Sequence, residues 1–335
     1  MKKIFNSFIE WIKEDYKFII LCILVIFLGL YKLPYNLYTG GGIIDVSDKV
    51  IIDNAYEAKG SLNMAYVKQI RATIPTYLLS YIFDWDREKV SATLIDEYDT
   101  PEDLWKRERL YMEEANTSAL LSAFNLLGEK VDIIKERVIV LYLVKEAKTD
   151  LKIGDEIVSV DNQVIHDTSD LSNILTNHQL GDKINIKVIR DEKEIDCYSE
   201  VIKLDDTLKL GIALIRNYEY KVDHEVKFNF DNNEAGPSGG LMLALEIYNK
   251  LTSEDITHGY KIAGTGTIDD LGKVGTIGGI KYKLKGAVSD KAKVFFVPAG
   301  NYEEAMKVKN DNNYKIEVVK VEKLIDAINY LREMK

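Results

Sequence analysis

Gly236-Pro237-Ser238-Gly239-Gly240, followed by an unbroken run of helix formers, leaves the chain little choice of local structure. The glycines and the proline fix a tight turn around one serine. The next residues, Leu241 to Leu251 (LMLALEIYNKL), favour a helix with a broad apolar face. Proline suits a first helical turn, where no intrahelical N–H is required. Ser238 is therefore expected at the positive end of a helix, beside backbone N–H groups without intrahelical partners. A hydroxyl placed there can attack a carbonyl, and those amides can hold the oxyanion that forms. Gly239 and Gly240 read as room for a substrate backbone to come close.

A serine needs a base to become a nucleophile. A second glycine pair precedes Lys281 in Ile277-Gly278-Gly279-Ile280-Lys281, and Leu284 follows. That apolar setting is compatible with desolvation, which lowers the pKa of a lysine toward neutral pH. Lys273, Lys283 and Lys285 read as ordinary exposed lysines. Taken singly, the serine turn is also a helix start or an anion nest, and Lys281 a surface charge. The four histidines, His166, His178, His224 and His258, are scattered without metal-ligand spacing, and no triad is indicated.

The order of elements around the two motifs resembles the proteolytic domain of Lon-type proteases. The matching residues are the serine turn, Thr265-Gly266-Thr267-Ile268, Gly272-Lys273-Val274, and Ile277 to Lys281, continuing through Ala292 to Pro298. The resemblance implies a Ser-Lys dyad, with Ser238 as nucleophile, Lys281 as general base and Thr265 orienting the lysine. Gly236 and Gly239 shape the turn. The family carries an acidic residue directly before the first glycine of the turn. Here that place is Ala235, and Glu234 is the nearest acid.

The middle of the chain has its own signature, Leu151-Lys152-Ile153-Gly154-Asp155-Glu156-Ile157 leading into an alternating strand and an Asp161-Asn162 turn. A short helix capped by Ser169 or Asp170 and a strand from Lys183 to Arg190 follow. This pattern resembles a PDZ domain, a module that captures an extended peptide on a sheet edge. The other reading of this segment is a spacer or a substrate gate.

At the N-terminus, Phe18 to Tyr31 (FIILCILVIFLGLY) is apolar, with Lys17 and Lys32 able to snorkel at its ends. No small-residue cleavage site follows, so a retained anchor is expected rather than a signal peptide. The lysines before it imply a cytoplasmic N-terminus, with all that follows outside the cell membrane. A net charge of −10 argues against a nucleic-acid partner. No phosphate-loop motif is present, so no ATP is expected, and no cofactor or metal.

The expected fold class is α+β: a transmembrane helix, then a PDZ-like β-rich domain inserted in, or preceding, a Lon-type proteolytic domain. The expected layout is residues 1–17 cytoplasmic, 18–35 anchor, 36–127 the first part of the protease-like fold, with Thr39 to Gly42 as a hinge, 128–204 PDZ-like, and 205–335 the proteolytic domain. The layout resembles membrane-bound PDZ–Lon proteases of Gram-positive bacteria. That implies an ATP-independent serine endopeptidase acting on peptide or protein substrates outside the membrane, compatible with a homo-oligomer. The competing function is a non-catalytic, membrane-tethered peptide binder.

Overall fold

The computed structural model describes residues 2–83, 85–90, 100–204 and 206–334, residues 2–14 by their backbone alone. The chain divides into two compact units. One lies within Met1–Gly40 and Val67–Ile95, the other within Gly41–Tyr66 and Asp96–Lys335.

In the first unit, helix α1 (Lys2–Leu30) departs from helical geometry only at Asp15. Strand β1 (Lys32–Asp45) begins two residues after it. Lys32 to Tyr35, expected to complete an anchoring helix, are therefore extended. Pro34 supplies no N–H and disfavours helical geometry in the residue before it. Among the described residues no helix is long and apolar enough to cross a membrane. Strand β2 (Val50–Ile52) lies in the second unit, and β3 (Ser61–Thr73) leads back into the first. There the chain forms helix α2 (Ile74–Ile82) and strand β4 (Asp86–Lys89), which pairs antiparallel with β1, Tyr35 opposite Lys89.

The second unit holds two folds. Helix α3 (Pro101–Leu127) starts at a capping box between Thr100 and Asp103 and stops at Gly128 in the left-handed region. The chain then builds β5 (Val131–Leu143), β6 (Glu156–Val160), β7 (Gln163–Val164), α4 (Thr168–Leu175), β8 (Lys183–Arg190) and β9 (Lys193–Glu200). The short pair β10 (Ile202–Leu204) and β11 (Thr207–Lys209) precedes β12 (Ile212–Val222). These form a sheet in the order β12-β5-β6-β8-β9, with β7 on β6, closed over Leu151, Ile157, Ile184, Ile186 and Val188. Asp161 and Asn162 both have positive φ, as a tight β6–β7 turn demands. Asp155, almost wholly buried, is held by two bonds from the Arg190 guanidinium at 2.7 and 2.6 Å.

The second fold carries the serine turn. After it come α5 (Gly240–Leu251), β14 (Lys261–Gly264), the small hairpin β15 (Thr267–Ile268) and β16 (Val274–Gly275), and α6 (Ile280–Ser289). The chain ends with β17 (Val294–Pro298), α7 (Tyr302–Asp311), β18 (Glu317–Val321) and α8 (Leu324–Glu333). Strands β3, β14, β17 and β18 are neighbours and all parallel. Helix α5 is buried on every side from Gly240 to Asn249, between α3 and the sheet, so its apolar residues form a core rather than one face. Leu120, Phe124, Leu241, Leu245, Phe296 and Ile328 meet there.

The PDZ-like fold interrupts this one. Strand β13 (Val226–Phe228) pairs with β2, Val226 opposite Ile52, so strands from both sides of the middle segment share one fold. Strand β12, just before β13, is paired along its length with β5 in the other sheet. Gly41 and Gly42 do not form a loop hinge. They lie inside β1, where a Cβ on Gly41 would stand 2.1 Å from the Tyr66 carbonyl oxygen.

Candidate active site

The serine turn is a single turn of 3-10 helix, Pro237 to Gly239, running into α5. Gly236 enters it with φ 102°, a conformation only glycine adopts easily. Its N–H donates to the Glu108 carbonyl of α3 at 3.1 Å, which fixes the entry angle. Gly239 and Gly240 face protein rather than open space. A Cβ on Gly239 would lie 2.9 Å from Met64 Sδ, and one on Gly240 3.0 Å from Ile268 Cγ2. Their smallness lets β3 and β15 pack against the turn, which corrects the expectation that they make room for substrate.

Three bonds tie Ser238 and the start of α5 to the end of β14. Gly266 N–H donates to the Ser238 carbonyl at 2.8 Å, Thr265 Oγ1 donates to the same oxygen at 3.1 Å, and Leu241 N–H donates to the Gly266 carbonyl at 3.1 Å. Thr265 is itself fully buried, its N–H bonded to the Phe296 carbonyl on β17. Ser238 is half-buried.

The lysine that reaches this cluster is Lys283. It is 4% exposed, and its Nζ donates to Thr265 Oγ1 at 3.2 Å. Burial pushes its pKa from 10.5 down to about 8. The reading of Lys283 as an ordinary exposed lysine is therefore wrong. Lys281 stands two residues earlier on α6, partly exposed, with Nζ 5.3 Å from the Tyr282 ring centre. The cause is helical phase. Ile280, Leu284 and Ala287 form the buried stripe of α6, and residue 283 falls on that stripe while 281 and 285 do not.

Glu234 has a structural partner. Its carboxylate accepts from Lys49 Nζ at 2.8 Å and from Asp231 N–H at 2.7 Å, latching the loop before the serine turn onto the segment before β2. The acid that sequence reasoning missed at the turn is Glu108. Its Oε2 lies 3.1 Å from where a Cβ on Gly236 would be, and burial raises its pKa. Being far away in sequence, it gave no local signal. Among the described residues no group of His, Cys, Asp and Glu is placed to hold a metal.

Comparison with known proteins accounts for both folds. Residues 231–332 match the family model of the Lon protease (S16) C-terminal proteolytic domain, and residues 125–200 match that of the PDZ domain. Lon protease of Mesomycoplasma hyopneumoniae (strain 232) is 30% identical over 139 residues, 36% of this chain and 16% of the relative. Lon protease of Mycoplasma pneumoniae (strain ATCC 29342) is 35% identical over 94 residues, 28% of this chain and 12% of the relative. The chain thus spans less than a fifth of the length of these curated relatives. Among solved structures, the PDZ domain of the SdrC-like protein from Listeria monocytogenes is 19% identical, with a TM-score of 0.22, covering 23% of this chain and 86% of that one. Residues 231–332 are thus similar to the Lon proteolytic domain, and residues 125–200, which lie between strands β2 and β13 of the serine-turn fold, are similar to the PDZ domain.

Proposed function

We propose that this protein is a membrane-tethered serine endopeptidase that hydrolyses peptides or flexible protein segments without ATP, using Ser238 and Lys283 as its dyad. The observation that carries the reading is the buried Lys283 ammonium on Thr265, which is bonded in turn to Ser238. Lys283 replaces Lys281 as the general base because it is buried against Thr265, which lowers its pKa to about 8, whereas Lys281 is partly exposed.

In this mechanism neutral Lys283 takes the proton of the Ser238 hydroxyl as Oγ bonds to the scissile carbonyl carbon. The carbonyl π electrons move to oxygen, and backbone N–H groups of the serine turn stabilise that oxyanion, those of Gly240 and Leu241 being bonded to the Pro237 and Gly266 carbonyls. As the tetrahedral species collapses, the lysinium gives its proton to the leaving nitrogen and the C–N bond breaks. Water then enters by the reverse path, losing a proton to Lys283, and the ester to Ser238 is cleaved. Thr265 Oγ1 keeps Nζ in place through each transfer.

The tether is α1. Most of its described apolar side chains between Phe18 and Leu30 are exposed, and a kink at Asp15 separates this part from the helical residues 2–14. Lys2, Lys3, Lys13 and Lys17 support a cytoplasmic location for the N-terminal end, and the reading with the catalytic fold outside the membrane rests on these charges. ATP independence rests on the missing phosphate loop.

The full chain in detergent, given unstructured peptides and no nucleotide, tests the catalytic reading. Cleavage is expected from the parent and from Lys281→Ala, and none from Ser238→Ala or Lys283→Ala. Peptide binding without cleavage by the parent would favour the tethered binder instead.

A further inference from the structure

Helix α2 is built inside out. Its one fully buried residue is Ser80, at 0% exposure, while Leu78 is 62% and Ile82 75% exposed, and Phe83 beyond the helix end is exposed too. A helix on a water-facing surface carries the opposite arrangement, polar side out and apolar side in. The buried hydroxyl is satisfied within its own unit. Ser80 Oγ donates to the Tyr77 carbonyl at 2.6 Å and accepts from Arg87 at 3.1 Å. Polar groups turned inward and matched, with apolar groups turned outward, suit an apolar surrounding.

We propose that α2 and the residues just after it form a second membrane contact, an interfacial helix lying in the headgroup–acyl boundary of a lipid bilayer beside α1. The inference rests on the reading of α1 as a membrane tether. Three features of the same unit select a bilayer over a protein surface. Helix α1 packs against α2, and its exposed apolar residues Phe18, Leu21, Leu24 and Phe27 span more than one face, whereas a protein partner covers a stripe. Tyrosines join α2 to the start of β1, five residues beyond the end of α1: the Tyr35 ring lies tilted against Tyr77 at 5.0 Å and Tyr77 meets Tyr81 edge-on at 5.8 Å, an aromatic belt just beyond α1. Cations flank the belt. The Arg87 guanidinium lies 3.9 Å from the Tyr81 ring centre, and Lys32, Lys68 and Arg71 are exposed in the same unit, complementary to anionic headgroups.

The test uses the full chain with Cys22 and Cys197 replaced by serine and one new cysteine carrying an environment-sensitive fluorophore. The positions are Ile82 on α2, Val25 on α1, and the exposed Tyr56 in the second unit. The labelled proteins are reconstituted into phosphatidylcholine–phosphatidylglycerol vesicles with and without nitroxide-bearing lipid. Blue-shifted emission at 25 and 82, each losing about half its intensity to the lipid nitroxide, with position 56 unaffected, is the expected result. Quenching at 25 but not at 82 leaves the tether standing and overturns the second contact. A blue shift at 82 without lipid quenching means that protein, such as a second copy of the chain, covers α2, and overturns it equally. No quenching at either position removes the tether itself and this inference with it.

Discussion

Lys283 Nζ donates to Thr265 Oγ1 at 3.2 Å, and both side chains are shut away from water. The lysine comes from α6 and the threonine from the residue after β14, so the helical phase of α6 decides which lysine meets the serine turn. Lys283→Ala should lower peptide cleavage by roughly 1,000-fold or more, as removal of a general base from a dyad does. Lys281→Ala should stay within about threefold of the parent. Initial rates on one fluorogenic peptide separate the two; equal losses at both positions would sink the assignment.

Thr265→Val keeps the volume and removes the hydroxyl that Lys283 donates to. The lysine then loses its bond and the Ser238 carbonyl one of two donors. kcat should fall about 10- to 100-fold with little change in KM, since the loss is in positioning rather than binding. Thr265→Ser should restore most of the rate.

The pH dependence follows from the same burial. With the Lys283 pKa lowered to about 8, the neutral base accumulates as pH rises through that value. kcat/KM should climb with one proton lost and level off above about pH 9. The stability contribution has a definite sign. Between about 8 and 10.5 the unfolded chain holds a proton at this position that the folded chain lacks, so stability rises with pH across that window. Lys283→Met should remove both effects, which a pH series of rates and melting temperatures reads directly.

Glu246 behaves in the opposite sense. It is 3% exposed on α5, 3.5 Å from Lys250, and burial raises its pKa to about 7. Between about 4.5 and 7 the folded state binds a proton that the unfolded state has shed, so stability falls as pH rises through this range. Glu246→Gln should flatten that slope and add on the order of 2 kcal/mol at pH 8. Lys250 retains its bonds to the Ser47 and Val50 carbonyls in the variant. Urea unfolding at pH 5 and pH 8 gives the comparison.

Gly41→Ala should destabilise the protein by about 3 kcal/mol, the upper end of what overpacking costs, because its methyl would overlap the Tyr66 carbonyl. Gly40→Ala, with open space around its Cβ position, should cost less than about 1 kcal/mol. Midpoints of chemical denaturation for the two variants settle the matter.

The serine turn was legible because its constraint is local: a positive φ at Gly236 and a proline before a helix are written in adjacent residues. The same holds for the Asp161-Asn162 turn and for the Leu151-to-Asp155 signature, whose buried and left-handed positions follow from residue type. The lysine was misread although a signal existed. Ile280, Leu284 and Ala287 mark a helical stripe that takes in residue 283, but a count from the glycine pair favours the first lysine after it. Glu108 and Lys49 reach the loop before Ser238 from other elements, and no periodicity in one segment foretells a partner in another. Strand β12 alternates like any half-buried strand, and only its partner β5 assigns it to a sheet.

The chain leaves the protease fold and comes back at nearly one point, since Val131 and Val222 stand opposite each other at the end of the β5–β12 ribbon. An insert held at a paired-strand doorway adds no gap for the host fold to span. Its size and contents can drift while the doorway stays the same width. Such an arrangement lets the middle fold be exchanged like a tool head on a fixed handle, with the serine-turn fold left as it is.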